Sequence, residues 1–162
     1  MEASLATAGV RTDFADFYRA ELPQVYRGVY LLTGDRQAAL DLTQEAFARA
    51  YARWRRLSRE EWAGGWVMTT ALNLAKHRVR ETASPRLPEG APAAAPAPER
   101  VDLVRALRTL PFRQRQALVL HYVGDLHPRA IAQAMNVSEG TVKAHLAQGR
   151  AALRRKLEVF DG

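Results

Sequence analysis

Apolar side chains recur early in the chain at intervals of three and four residues or their sums: Phe14, Phe17, Tyr18, Val25, Tyr26 and Val29. That period places them on one face of an α-helix. Asp13 suits its N-cap, with acidic Asp16 following, and Thr33-Gly34 supplies a stop before Asp35 opens a second helix. The second helix is expected to run to about Trp54, and a third from roughly Trp66 to Glu81. At about 100° per residue, Leu40, Phe47, Ala50, Tyr51 and Trp54 share one side of the second helix and are predicted to form its core stripe. Asp41, Gln44, Glu45, Ala48 and Ala52 share the other side. On the third helix Val67, Ala71, Leu74 and Ala75 oppose a polar side of Thr69, Asn73, Lys76, His77 and Arg80. Trp62 and Trp66 flank Gly64-Gly65, which reads as a mobile joint beside rings on which bases could stack.

Residues 82–100, TASPRLPEGAPAAAPAPER, interrupt this pattern with five of the eight prolines, six alanines and almost no bulky apolar side chain. Proline does not sit in a helix interior, and so little apolar area cannot offset the entropy of ordering. The segment is predicted to be a flexible Pro/Ala-rich linker between two small lobes that fold separately. Beyond it, two apolar helices are expected at Val101 to Leu110 and Phe112 to Tyr122, the second ended by Gly124. Pro128 opens a short helix through Met135, Asn136 suits a left-handed turn, and Ser138 caps a long final helix. Two helices joined by about three residues, the second basic, describe a helix-turn-helix. Val142, Leu146, Gly149 and Leu153 would face inward, and Lys143, Ala144, Ala147, Gln148 and Arg154 outward. No alternating stretch is long enough for a sheet, so the fold class is all-α.

Charge sharpens the picture. The formal charge is +7, and residues 101–162 hold ten basic and five acidic side chains, against twelve and ten in residues 1–81. A basic carboxy-terminal third suits a polyanion, nucleic acid first; charge alone also allows an arginine-rich surface without such a partner. The absence of cysteine removes disulfides, thiolate metal sites and a cysteine nucleophile. His77, His121, His127 and His145 show no metal-ligand spacing and no glycine-rich phosphate loop exists, so no catalytic residue, metal or cofactor is assigned. No run approaches the ~18 apolar residues that span a bilayer, and Met1 to Val10 lacks the basic start of a signal peptide. A cytoplasmic protein without membrane or small-molecule partners is expected.

The run Asp41-Leu42-Thr43-Gln44-Glu45-Ala46-Phe47 resembles the D-x-x-Q-E-x-F signature of region two in the sigma-70 family. W-V-M-T-T-A-L-N-L-A-K-H-R is similar to that family's W-L-x-x-I-A-x-N-x-A-x-x-x-x-R pattern, with Trp66, Ala71, Asn73, Ala75 and Arg80 at the corresponding places. L-P-F-R-Q-R-Q-A-L-V-L and I-A-Q-A-M-N-V-S-E-G-T-V-K-A-H-L resemble region four of the same family. The two regions occur in family order across a proline-rich tether without an intermediate domain, which is the pattern of the extracytoplasmic-function group.

The resemblance implies an RNA polymerase sigma factor with region two at 12–81, a linker at 82–100 and region four at 101–158. Asp41, Gln44, Glu45 and Arg49 would meet core RNA polymerase. Trp66 and Asn73 would meet the −10 element of promoter DNA, with Lys76, His77 and Arg80 holding its backbone. Lys143, Ala144, Ala147 and Gln148 would approach base edges of the −35 element, and Arg129, Ser138, Thr141 and Arg150 its phosphates. Such factors are often held inactive by an anti-sigma factor, although no residue identifies one here. Three departures stand out: acids at Glu60-Glu61 in the loop before the third helix, Gln148 where an arginine is common, and Arg129-Ala130 in place of an acidic residue. The competing reading is a helix-turn-helix DNA-binding regulator that never docks on polymerase.

Overall fold

The computed structural model describes residues 13–81 and 98–161. Helices are the only regular elements among them: α1 (Phe14–Thr33), α2 (Arg36–Ala52), a single turn α3 (Trp54–Leu57), α4 (Ala63–Glu81), α5 (Pro98–Arg108), α6 (Phe112–Tyr122), α7 (Pro128–Met135) and α8 (Glu139–Asp161). The chain is all-α, in two lobes. Local chemistry sets most boundaries. Asp13 accepts the Ala15 amide at 2.9 Å, and Gly34, at φ 66°, donates back to the Tyr30 carbonyl at 2.7 Å. Asp35 then accepts from the Ala38 amide at 3.1 Å and starts α2.

In the first lobe α1, α2 and α4 pack pairwise. Phe17, Val25, Val29 and Leu32 meet Leu42, Phe47, Val67 and Leu72, all buried. Phe14 closes one end, its ring 5.1 Å from Tyr51 and 5.4 Å from Trp54, both edge-on. In the second lobe α6 and α7 pack against α8, with α5 alongside. Pro128 begins α7, and Asn136 (φ 57°, ψ 48°) ends it in the left-handed conformation that an asparagine tolerates. Ser138 Oγ accepts the Thr141 amide at 3.1 Å and caps α8.

Several boundaries and faces differ from the sequence reading. Helix α2 stops at Ala52, because Arg53 (φ −111°, ψ 14°) breaks the path before Trp54 starts its own turn. Leu40 and Tyr51 are 44% and 67% exposed, so neither belongs to the core stripe. The buried row is Ala39, Leu42, Thr43, Ala46, Phe47 and Ala50, since α2 wedges between α1 and α4 and small side chains there allow close approach. Gly64 and Gly65 are no joint: they lie in the first turn of α4. A Cβ at Gly64 would come within 2.8 Å of Glu21. Trp66 is therefore a helical residue. Helix α5 starts at Pro98, inside the stretch assigned to the linker, because proline suits a first helical turn. The rest of that assignment, 82–97, lies outside the described residues. Just past the end of α6 and Gly124, Asp125 takes the left-handed conformation (φ 55°).

The lobes are not separate bodies. Helix α1 touches α5 and α6, and α4 touches α6 and α7, so one continuous apolar cluster runs through both lobes. Bare backbone makes the approach possible. A Cβ on Gly28 of α1 would lie 3.1 Å from Val119 Cγ1, and one on Gly65 would lie 3.1 Å from Leu126 Cδ2.

Candidate nucleic-acid interface

Helix α2 turns Asp41, Gln44, Glu45, Ala48, Arg49 and Ala52 to solvent, because its other side carries the alanine-rich row buried against α1 and α4. The charges on this face are already paired within the chain. Gln37 donates to Asp41 Oδ1 at 2.9 Å, Arg78 Nη2 stands 3.8 Å from Asp41 Oδ2, and Arg49 Nε donates to Glu45 at 3.1 Å. Gln44 donates to the Tyr18 hydroxyl at 2.7 Å. These pairs are about half exposed and cost little to exchange for a partner's groups.

The polar side of α4 is less open. Asn73 and His77 are exposed, while Thr69 and Lys76 are half-buried; the Arg80 side chain lies outside the described residues. Trp66 is half-buried with the Arg53 guanidinium 5.7 Å from its ring centroid, a cation–π contact. Asn73 is also tied to the second lobe. Its Oδ1 accepts from Gln116 Nε2 of α6 at 2.9 Å, and Gln116 is itself 1% exposed.

Helix α8 presents the third surface. Val142, Leu146 and Gly149 are buried with Leu153 half-buried, and Lys143, Ala144, Ala147, Gln148 and Arg154 are exposed, as the 3.6-residue period requires. Thr141 and Ser138 stand at its amino end, hydroxyls 2.8 Å apart, beside backbone N–H groups of the kind that bind phosphate. Lys143 Nζ is 3.6 Å from Glu139, Gln148 accepts from Gln114 at 3.2 Å, and Arg150 donates to the Tyr122 hydroxyl at 3.1 Å. Arg129 is exposed in the first turn of α7. Among the described residues no cluster of side chains could hold a metal ion, and no helix is long and apolar enough to cross a membrane.

Sequence reasoning missed Arg115 and Gln116. Arg115 is 6% exposed, and its Nη1 donates to the Leu32 carbonyl of α1 at 2.9 Å. A signal was present: Ala117-Leu118-Val119-Leu120 is an unbroken apolar run, which in a helix means neighbours on more than one side.

Comparison with known proteins agrees with this architecture. The family model described as Sigma-70 region 2 matches residues 17–84, and the one described as Sigma-70, region 4 matches 100–153. The ECF RNA polymerase sigma factor SigE of Mycolicibacterium smegmatis is 31% identical over 153 residues, covering 86% of this chain and 59% of that protein. SigW of Bacillus subtilis, also an ECF sigma factor, is 27% identical over 172 residues, covering 92% of this chain and 91% of SigW. The fold matches the sigma factor RpoE of Bartonella quintana, solved in complex with the anti-sigma factor NepR, at a TM-score of 0.75 and 23% identity, covering 91% of this chain and 98% of that one. Both regions, in family order and on the expected helices, place the chain in the sigma-70 family, as an RNA polymerase sigma factor of the extracytoplasmic-function group.

Proposed function

We propose that the chain recruits core RNA polymerase to particular promoters and begins transcription of a specific regulon there. Region two, 12–81, would dock on the polymerase through Asp41, Gln44, Glu45 and Arg49 and capture the opened −10 element through Trp66 and Asn73. Lys76, His77 and Arg80 would hold the DNA backbone. Region four, 101–158, would lay α8 in the major groove at the −35 element. There Lys143, Ala144, Ala147 and Gln148 face bases, while Arg129, Ser138, Thr141 and Arg150 bond phosphates. With two alanines among four base-facing positions, promoter shape carries much of the preference. The chain performs no catalysis of its own, works in the cytoplasm, and has an anti-sigma factor among its partners.

The observation that carries this reading is the outward polar face of α2 on the same chain as an outward basic α8. A DNA-binding regulator would use α8 alone and leave the Asp41–Gln44–Glu45 face without a task. The test is transcription by core polymerase with this chain on a genomic template. Starts at defined promoters are expected only when the chain is present; no promoter-dependent initiation would sink the proposal.

A further inference from the structure

We infer that Gln114 of α6 sets which base Gln148 of α8 reads, by holding the Gln148 amide with its oxygen toward α6 and its nitrogen toward the DNA groove. The inference rests on the −35 contact proposed above and names the base that this contact selects. Of the four base-facing positions, Ala144 and Ala147 offer only methyl groups. The Lys143 ammonium stands 3.6 Å from Glu139 on its own helix and acts as a point charge. Gln148 is thus the one neutral side chain of the four with directional hydrogen bonds to give. Its Oε1 accepts from Gln114 Nε2 at 3.2 Å, between residues 34 apart in sequence. An amide carries its acceptor and its two donors on opposite sides of one carbon, so tying the oxygen to α6 turns the donors outward. Gln114 is half-buried and Gln148 exposed, which makes Gln114 the fixed partner of the two.

Donors turned outward select acceptors. In the major groove guanine presents two acceptors, N7 and O6, and no donor, whereas cytosine presents its N4 amino group. An amide held this way bonds guanine and meets cytosine donor to donor. Adenine and thymine, with one acceptor each, are matched in part. Guanine is also what an arginine reads most often. Gln148 therefore departs from the common arginine in residue type but keeps the class of base edge. Gln114 acts as a positioning residue.

The anchor can be made to hold either end of the amide. A carboxylate only accepts, so Gln114→Glu forces Gln148 to turn its nitrogen to α6 and its oxygen to the groove. An ammonium only donates, so Gln114→Lys keeps the present orientation. The full chain with core polymerase is presented with a pool of duplexes of random sequence, and the retained duplexes are sequenced. The wild type is expected to enrich guanine over cytosine by about fivefold or more at one position. Gln148→Ala should lose that preference, which identifies the position. Gln114→Lys should keep guanine. Gln114→Glu should exchange it for cytosine or adenine, whose amino groups suit an outward oxygen. A merely structural Gln114 would alter overall affinity and leave base preference alone. Unchanged preference in the glutamate variant, or a switch in the lysine variant, would overturn the inference and leave the sigma reading intact. A wild type that enriches no sequence would count against α8 as a reader, and so against both.

Discussion

Arg115 and Leu32, 83 residues apart in sequence, are joined by a hydrogen bond of 2.9 Å from guanidinium to carbonyl. The guanidinium stacks on Phe112, 5.3 Å from its ring centroid, and its Nε has no hydrogen-bond partner among the described residues. Burial, with repulsion from Arg108 added, lowers its pKa. The contact thus sets a favourable bond against the cost of taking a cation out of water.

Two replacements separate the bond and its cation from the volume they fill. Arg115→Ala leaves the Leu32 carbonyl unpaired and a void beside Phe112, and should cost about 3 kcal/mol. Arg115→Met also removes the buried charge and leaves the Leu32 carbonyl unpaired but keeps much of the volume, and should cost about 1–2 kcal/mol. Urea unfolding of the full chain measures both; equal losses would mean that the void beside Phe112 carries no cost.

The α2 face allows a cleaner division of stability from binding. Asp41→Ala with Glu45→Ala removes two half-exposed ion pairs, so thermal unfolding should change by less than about 1 kcal/mol. Affinity for core polymerase should fall by about tenfold or more, as expected when polar groups at an interface lose their partners. Unchanged affinity in a titration would remove this face from the proposed interface.

For Asn73 the expected defect is confined to DNA. Asn73→Ala should lower promoter opening by roughly tenfold, within the 1–3 kcal/mol of a specific base contact, and leave polymerase binding nearly intact. Permanganate footprinting beside a polymerase binding assay reads the two separately. Parallel loss of both would contradict the assigned role.

Ser138→Ala deletes the side-chain cap of α8. Its expected cost is about 1 kcal/mol, with weaker binding of duplex DNA because the amino end of the helix frays. Circular dichroism melting checks the first effect and a salt-titrated DNA-binding assay the second. A variant as stable as wild type would show that Thr141 or water replaces the cap.

The elements legible in the sequence were those set by neighbours along the chain. Asp13, Gly34, Asp35, Pro128, Asn136 and Ser138 act within a turn of their own position, and the structure uses each as its chemistry suggests. The outward face of α2 and the inward row of α8 were legible for the same reason, since 3.6-residue geometry fixes which side chains travel together. Leu40 and Tyr51 were misread because α2 packs on two neighbours, so its buried arc is wider than one stripe and rotated from the largest residues. Gly64-Gly65 resembled a joint only because sequence does not show Glu21 and Leu126 pressing on their backbone. The Asn73–Gln116 bond left no trace at all. Two amides, 43 residues apart, share no periodicity and no hydrophobic signal.

A guanidinium and a carboxamide buried in a joint behave differently from leucines in the same place. Flanked by an apolar cluster that runs through both lobes, Arg115 and Gln116 fix the register of the join, because each has one partner geometry to satisfy where leucines would accept several.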